Sequence, residues 1–302
     1  MPIIFQEKID RVLNNQTPAW QDDVLIATRG EAHEHFNDIN NILKALEDAG
    51  YRASLEKTEL FKKEIDWLGY HIDENGISPK QSKTEAILAV ETPKRLRDVR
   101  SFLGSVQYLG KFIKGLPDLT GPLRRLTEKT VTKWEWTAIE QTAFDKIKTK
   151  IAEIDSLAHY DPQKETILQV DASTVGLGAT LWQIDENGRK PISYHSRKLN
   201  PAEMKYAVNE LEMLAIVNGT EHFKHYLLGR EFTVETDHKA LISVLNKQNP
   251  SKTYSSRLTR WKERLLIYDF KIEYKQGSLM GITDILSRSP NADPKSEKDF
   301  TE

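Results

Sequence analysis

Three strand-like runs follow one another in the C-terminal half of this 302-residue chain, Thr166–Asp171, Gly178–Gln183 and Pro191–Ser196, and Gly-rich or Asn-Gly turns separate them. Turns this short join a strand to its sequence neighbour, so the segment predicts an antiparallel meander. A long helix over about Pro201–Tyr226, a fourth strand at Phe232–Thr236, two shorter helices and a fifth strand at Phe270–Tyr274 follow. A last helix carrying Asp284 completes residues 165–290, and the polar residues 291–302 predict a disordered tail.

The first 92 residues read as a separate α+β part. A helix at Phe5–Leu13 precedes an apolar strand at Val24–Ala27. A second helix, from about Glu31, puts Phe36, Ile39, Leu43 and Leu46 on one stripe and stops at Ala49-Gly50. Trp67–Ile72 predicts a strand leading into a turn at Asp73–Ile77, with Asn75-Gly76 as the hairpin signal. From Pro93 to about Thr149 the pattern turns helical, with Leu96, Val99, Phe102, Leu103, Val106 and Leu109 at helical spacing. Trp134 and Trp136, ahead of Phe144, read as packing anchors rather than base-stacking platforms.

Cysteine is absent, which excludes disulfides and thiolate zinc sites, so any metal must rest on oxygen or imidazole. The apolar opening Met1–Phe5 runs straight into Gln6-Glu7-Lys8, too short for a signal segment or a membrane span, and an intracellular protein is expected. With a formal charge of −2, a polyanion must be held by local basic patches. Candidates are Lys94, Arg95, Arg97 and Arg100, then Lys111, Lys114, Arg124 and Arg125, then Arg257, Arg260, Lys262 and Arg264. Such runs are more often solvated faces than phosphate contacts, unless a nucleic acid is the substrate.

Four acids stand out against this background. Asp171 ends the first strand, Glu212 lies inside the long helix, Asp237 follows the fourth strand and Asp284 belongs to the last helix, at successive intervals of 41, 25 and 47 residues. Acids this far apart meet only in a folded site, unlike those of a continuous calcium loop. Hard oxygen ligands from separate elements suit a pair of Mg²⁺ or Mn²⁺ ions. Two such ions about 4 Å apart activate a water and stabilise the leaving oxygen in phosphodiester hydrolysis. Any one of these acids alone is more often a cap or a solvated charge; the set of four in this order carries the metal reading.

The residues around these acids carry a resemblance. Asp171-Ala172-Ser173, Gly176-Leu177-Gly178-Ala179, Ser196-Arg197-Lys198-Leu199, Glu210-Leu211-Glu212, Thr236-Asp237-His238, Arg260-Trp261 and Asp284-Ile285-Leu286-Ser287-Arg288 closely resemble the ribonuclease H domain of gypsy/Ty3-type LTR retrotransposon Pol polyproteins. Upstream, Asp22-Asp23-Val24-Leu25-Ile26 is similar to the end of the reverse-transcriptase palm hairpin, and Trp67-Leu68-Gly69-Tyr70 to its primer grip. Ser101-Phe102-Leu103-Gly104 with Tyr108 and Phe112-Ile113 is similar to its thumb and connection. The resemblance implies a partial palm over residues 1–92, a thumb and connection over 93–164, and a ribonuclease H-like domain over 165–290. The fold class is then α/β (α+β), with a five-stranded mixed sheet flanked by helices. The implied activity is hydrolysis of the RNA strand of an RNA–DNA hybrid, in a cytoplasmic replication particle or the nucleus. Asp171, Glu212, Asp237 and Asp284 would be catalytic ligands of two Mg²⁺ or Mn²⁺ ions. Glu210 and Glu212 both fit the Glu-x-Glu pattern, which helix periodicity leaves open and the resemblance resolves toward Glu212.

Departures from the pattern bound the reading. Trp20 stands where the family has Tyr, Met280 where it has Asn and Thr283 where it has Ala, and lowered nuclease activity is one expectation. The fingers and first palm acid are missing, so Asp22 and Asp23 are expected to be remnant polymerase residues without autonomous DNA synthesis. The exposed apolar surface near Val24–Ala27 predicts association, with itself or with a missing N-terminal Pol segment. The expected partner is an RNA–DNA hybrid or template–primer duplex, with no membrane. The competing readings are a catalytically silent nucleic-acid-binding or assembly module and, on the same fold, an integrase or resolvase.

Overall fold

Residues 2–14, 17–128, 134–246 and 255–276 are described by the computed structural model. The structure is mixed α/β, and its chain divides into two units, Met1–Glu74 and Asn75–Glu302. Among the described residues no helix is long and apolar enough to cross a membrane.

The first unit contains α1 (Pro2–Leu13), the two-residue strands β1 (Ala19–Trp20) and β2 (Asp23–Val24), α2 (Ala32–Asp48), and the hairpin β3 (Ile65–Trp67) and β4 (Tyr70–Ile72). Its small core joins Ile9 and Leu13 of α1 to Ile42 of α2, with Phe5, Val24, Ile26, Leu46 and Tyr51 packed around them. Helix α2 stops where glycine permits. Gly50 takes φ +82°, its N–H bonds Glu47 O at 2.8 Å and the Tyr51 N–H bonds Leu46 O at 2.9 Å, which satisfies the last carbonyls.

Three sequence expectations are corrected in this unit. The buried face of α2 holds Ile39 and Ile42, while Phe36 is 54% and Leu43 39% exposed. Ile42 sits three residues after Ile39 and turns the stripe toward α1, leaving the Phe36/Leu43 alignment in solvent. The Val24–Ala27 strand shrinks to Asp23–Val24 because its partner run pairs only through Ala19 and Trp20. Trp67–Ile72 is not one strand: Leu68 and Gly69, at φ +51° and +83°, form a tight turn inside it and bring Trp67 opposite Tyr70. Positive φ at both central residues matches the twist of a two-residue hairpin, and the Leu at the first of them hid the turn.

The second unit opens with β5 (Ile77–Pro79), α3 (Gln81–Leu88), α4 (Leu96–Tyr108), α5 (Leu116–Arg125) and α6 (Ala138–Ala152). Val99, Phe102, Leu103 and Val106 of α4 pack with Phe144, Ile147 and Ile151 of α6, the Phe102 and Phe144 rings 4.6 Å apart. Trp136 meets Phe144 edge-on at 6.0 Å and donates its Nε1–H to Gln141 Oε1 at 2.9 Å, so it anchors the core. The same unit continues through β6 (Thr166–Ala172), β7 (Gly176–Asp185), β8 (Gly188–Lys198), α7 (Val208–His222), α8 (Lys224–Leu227), β9 (Glu231–Thr236), α9 (Lys239–Asn246), α10 (Ser256–Leu265) and β10 (Asp269–Tyr274).

The sheet order is β10-β9-β6-β7-β8. Strands β6, β7 and β8 form the antiparallel meander, whereas β9 lies parallel to β6 and β10 parallel to β9, so the five-stranded sheet is mixed. Five consecutive buried residues in β6, Thr166–Val170, show a central strand covered on both faces. Helix α7 starts at Val208 rather than Pro201. Ahead of it the Asn200 side chain accepts the N–H groups of Ala202 and Glu203, both at 2.9 Å, and Glu203 pairs with Arg197 at 2.7 Å. These bonds hold a separate turn, and extended Tyr206 (ψ 149°) precedes the helix. The expected last helix with Asp284 lies outside the described residues.

Gly219 lets α7 lie close on the sheet: a Cβ there would come within 3.0 Å of Ala179 Cβ and 3.4 Å of Val170 Cγ1. Gly219→Ala is therefore expected to destabilise by about 1–3 kcal/mol, because neither neighbour is a flexible chain end. A chemical melt of that variant overlaying the parent curve would contradict the close packing.

Candidate functional site

Parallel pairing of β6 and β9 sets the geometry. With Leu168 opposite Val234, the two strands run out at the same edge, so Asp171 near the end of β6 and Asp237 just after β9 emerge side by side. Helix α7 packs on β6 and β7 and brings Glu212, in its second turn, to the same end. One carboxylate oxygen from each of Asp171, Glu212 and Asp237 lies within 4.8 Å of the others. The structure thus gathers three of the four acids singled out in the sequence; Asp284 lies outside the described residues.

Three carboxylates this close without a cation repel one another. Burial, and then the neighbouring Asp237 and Asp171 charges, push the Glu212 carboxyl up to about 8. Burial and then Asp237 also raise Asp171. Glu212 is only 5% exposed, and its Oε2 finds no hydrogen-bond partner. A buried, unsatisfied carboxylate oxygen facing two further acids is a donor set for a hard divalent cation, so these residues fit Mg²⁺ or Mn²⁺. Glu210 points elsewhere: it accepts the Ala207 N–H at 3.2 Å and pairs with Arg257 at 2.8 Å. His238 is half-buried beside Asp237, with Nε2 unpartnered.

The acids open into a cleft of about 440 Å³. One wall is the sheet, with Gln169, Asp171, Gly178, Thr180, His195 and Ser196. The other is the start of α5, with Lys114, Gly115, Pro117 and Asp118. Asp118 and Pro117 had no mark in the sequence as site residues. Asp171, the nearest of the three clustered acids, is more than fifty residues further along the chain, and no local periodicity reports such a contact.

The remaining sequence candidates are spread over the molecule. Asp22 and Asp23 are exposed at the β1–β2 turn, and Trp67-Leu68-Gly69-Tyr70 forms the β3–β4 turn with its flanking pair. Ahead of α4, Arg95 bonds Asp98 at 3.1 Å and Lys94 approaches Glu91 at 3.9 Å, while Arg97 and Arg100 on the helix are exposed. On α10, Arg257 pairs with Glu210 and stacks on the Tyr206 ring at 3.8 Å, and Arg260 bonds Ser256 O at 3.3 Å.

Comparison with known proteins agrees with this architecture. Residues 161–268 match the family described as "RNase H-like domain found in reverse transcriptase", and residues 1–72 match "Reverse transcriptase (RNA-dependent DNA polymerase)". The Transposon Tf2-3 and Tf2-7 polyproteins of Schizosaccharomyces pombe are 36% and 35% identical over 294 residues, 95% of this chain and 22% of theirs. The chain therefore spans under a quarter of the curated relatives it matches. Two solved structures of the foamy viral protease-reverse transcriptase, one with RNA/DNA hybrid and one with double-stranded DNA, share the fold at TM-score 0.74 and 21% identity. Each covers 91% of this chain, which covers 38% and 49% of them. With reverse-transcriptase sequence leading into a mixed five-stranded ribonuclease H-like sheet, the chain carries both domain types and is homologous along nearly its whole length to gypsy/Ty3-type retrotransposon polyproteins.

Proposed function

We propose that the second unit is a ribonuclease H that hydrolyses the RNA strand of an RNA–DNA hybrid, with Asp171, Glu212 and Asp237 as metal ligands. The observation that carries this reading is the convergence of the three acids around a buried Glu212 oxygen with no partner. Asp284 is carried over as the fourth ligand from the family resemblance alone. Two divalent ions, when bound, supply a more acidic attacking water and a stabilised leaving oxygen. Asp171 and Asp237 both line the cleft in which a phosphodiester would lie, and Glu212 must give up its proton to act as a ligand. Asp22 and Asp23 are carried over as polymerase-site acids from the family resemblance alone. The substrate class is an A-like hybrid read through backbone and 2′-OH contacts, with little sequence preference.

The test is cleavage of an end-labelled RNA–DNA hybrid by the purified chain with Mg²⁺, beside Asp171→Asn and Asp237→Asn, with single-stranded RNA and duplex DNA as controls. RNA cut only in the hybrid, and in neither variant, is the expected result. Intact hybrid that is nonetheless bound in a salt-sensitive way would replace the nuclease with a silent binding module.

A further inference from the structure

We infer that Lys114, which precedes α5 outside the ribonuclease H-like sheet, is a phosphate-binding residue of the nuclease cleft, holding the RNA strand opposite the three acids. This deepens the nuclease reading and rests on it. The cleft is lined by three acids, Asp171, Asp237 and Asp118, with Glu212 close behind the first two, so it repels a polyanion unless a cation in the lining offsets them. Lys114 and Asp118 line the wall facing the sheet, and Lys114 is the one Lys or Arg among the described residues that line the cleft.

The wall is fixed rather than adventitious. Ile113 and Leu116, on either side of Lys114, are each 3% exposed and belong to the helical core, which leaves the lysine to point outward. Gly115 takes φ +67°, so the chain turns sharply into α5 directly after the lysine. Pro117 lies against Gly176 of β7 so closely that a Cβ on the glycine would come within 3.3 Å of Pro117 Cβ and 2.9 Å of Arg197 O. At the far end of the same helical segment Glu128 pairs with Lys198 of β8 at 3.0 Å. Lys114 itself is exposed and has no hydrogen bond or ion pair among the described residues, which leaves its ammonium group available to a phosphate. Lys111, three residues earlier, lies over the Phe112 ring at 5.1 Å instead.

The experiment compares the full chain with Lys114→Gln and Lys114→Arg, after thermal melts establish that both fold. Cleavage of the labelled hybrid with Mg²⁺ gives kcat and KM. Fluorescence anisotropy on a cleavage-resistant hybrid with a 2′-O-methyl RNA strand gives Kd over a salt series. Lys114→Gln is expected to raise KM and Kd by about tenfold, to leave kcat within about twofold, and to flatten the salt slope by about one unit. Lys114→Arg should recover most of the loss. A chain that cleaves, with KM, Kd and slope unchanged in Lys114→Gln, overturns the inference and leaves the nuclease standing. A chain that does not cleave, yet loses hybrid affinity and slope in Lys114→Gln, keeps the phosphate contact and removes the nuclease. No cleavage and no change in binding overturns both.

Discussion

Glu212→Gln is expected to abolish hybrid cleavage, by roughly a thousandfold or more, while making the metal-free protein more stable at pH 8. The first effect follows from removing a ligand charge from a site whose acids are its metal-binding apparatus. The second follows from the raised Glu212 carboxyl, about 8 against 4.5 for an unperturbed Glu. A carboxyl raised in the folded state binds more protons folded than unfolded between those two values, so stability falls as pH climbs through that window. Glutamine matches the neutral acid in shape. It should therefore melt within a degree or so of the parent below about pH 4.5, and progressively higher than the parent as pH climbs to 8 without metal, by about 2–4 °C for a relief of about 1 kcal/mol. Divalent metal must displace the Glu212 proton, so its affinity should rise with pH and its binding should release protons. Calorimetry in buffers of different ionisation enthalpy reads that release directly. An Mg²⁺ affinity flat between pH 6 and 8, or a variant less stable at both, would remove Glu212 from the cluster's energetics.

Much of the second unit was legible because its signals are local. The meander could be read from three apolar runs and their Gly-containing turns, and the α4 face from Val99, Phe102 and Val106 at helical spacing, since each needs only near neighbours in sequence. Where a distant contact decides, the sequence misleads. The spacing on α2 predicts a stripe through Phe36, Ile39, Leu43 and Leu46; packing against α1 keeps Leu46 and adds Ile42, while Phe36 and Leu43 stay in solvent. The pattern predicts a helix from Pro201, whereas the Asn200, Glu203 and Arg197 bonds hold a separate turn there and α7 begins at Val208. Asp171 and Asp237 could be singled out because each stands at a strand end. Helix periodicity left Glu210 and Glu212 equivalent, and only their partners separate them: Arg257 for one, the two aspartates for the other. Lys114 shows in the sequence only as one cation among several basic runs, and Asp118 not at all; their place opposite the acids arises only once the helical segment has docked on β7 and β8.

A second large effect is expected at Glu235, a position the sequence did not mark. It lies on β9, 4% exposed, on the face opposite Val234. Its two oxygens accept from Arg189 of β8 at 2.7 and 2.5 Å, and the Lys275 ammonium group approaches at 3.4 Å. Burial is the largest single influence and raises its carboxyl, but the Arg189 hydrogen bonds, the Arg189 charge and the Lys275 charge together outweigh it and hold the carboxyl below the ordinary value. Glu235→Gln leaves Arg189, itself only 19% exposed, without its counter-charge. The expected loss is about 3–5 kcal/mol, or on the order of 10 °C in melting temperature. Removing both partners, as Glu235→Leu with Arg189→Met, should recover most of it, since the penalty arises from the uncompensated buried charge rather than from a large net worth of the pair. The pH dependence runs opposite to that of Glu212. A carboxyl lowered in the folded state contributes stability above its unfolded value, and that contribution is lost as pH falls through the folded one. The gap between parent and Glu235→Gln should therefore close on acidification, while the Glu212 destabilisation grows on alkalinisation. Between them the metal-free protein should be most stable near about pH 5, and Mg²⁺ should move that optimum upward by stabilising the charged acids. Melts across pH with and without Mg²⁺ measure both trends, and a Glu235→Gln gap that stays constant into acid would show that the Arg189 pair does not control this part of the curve.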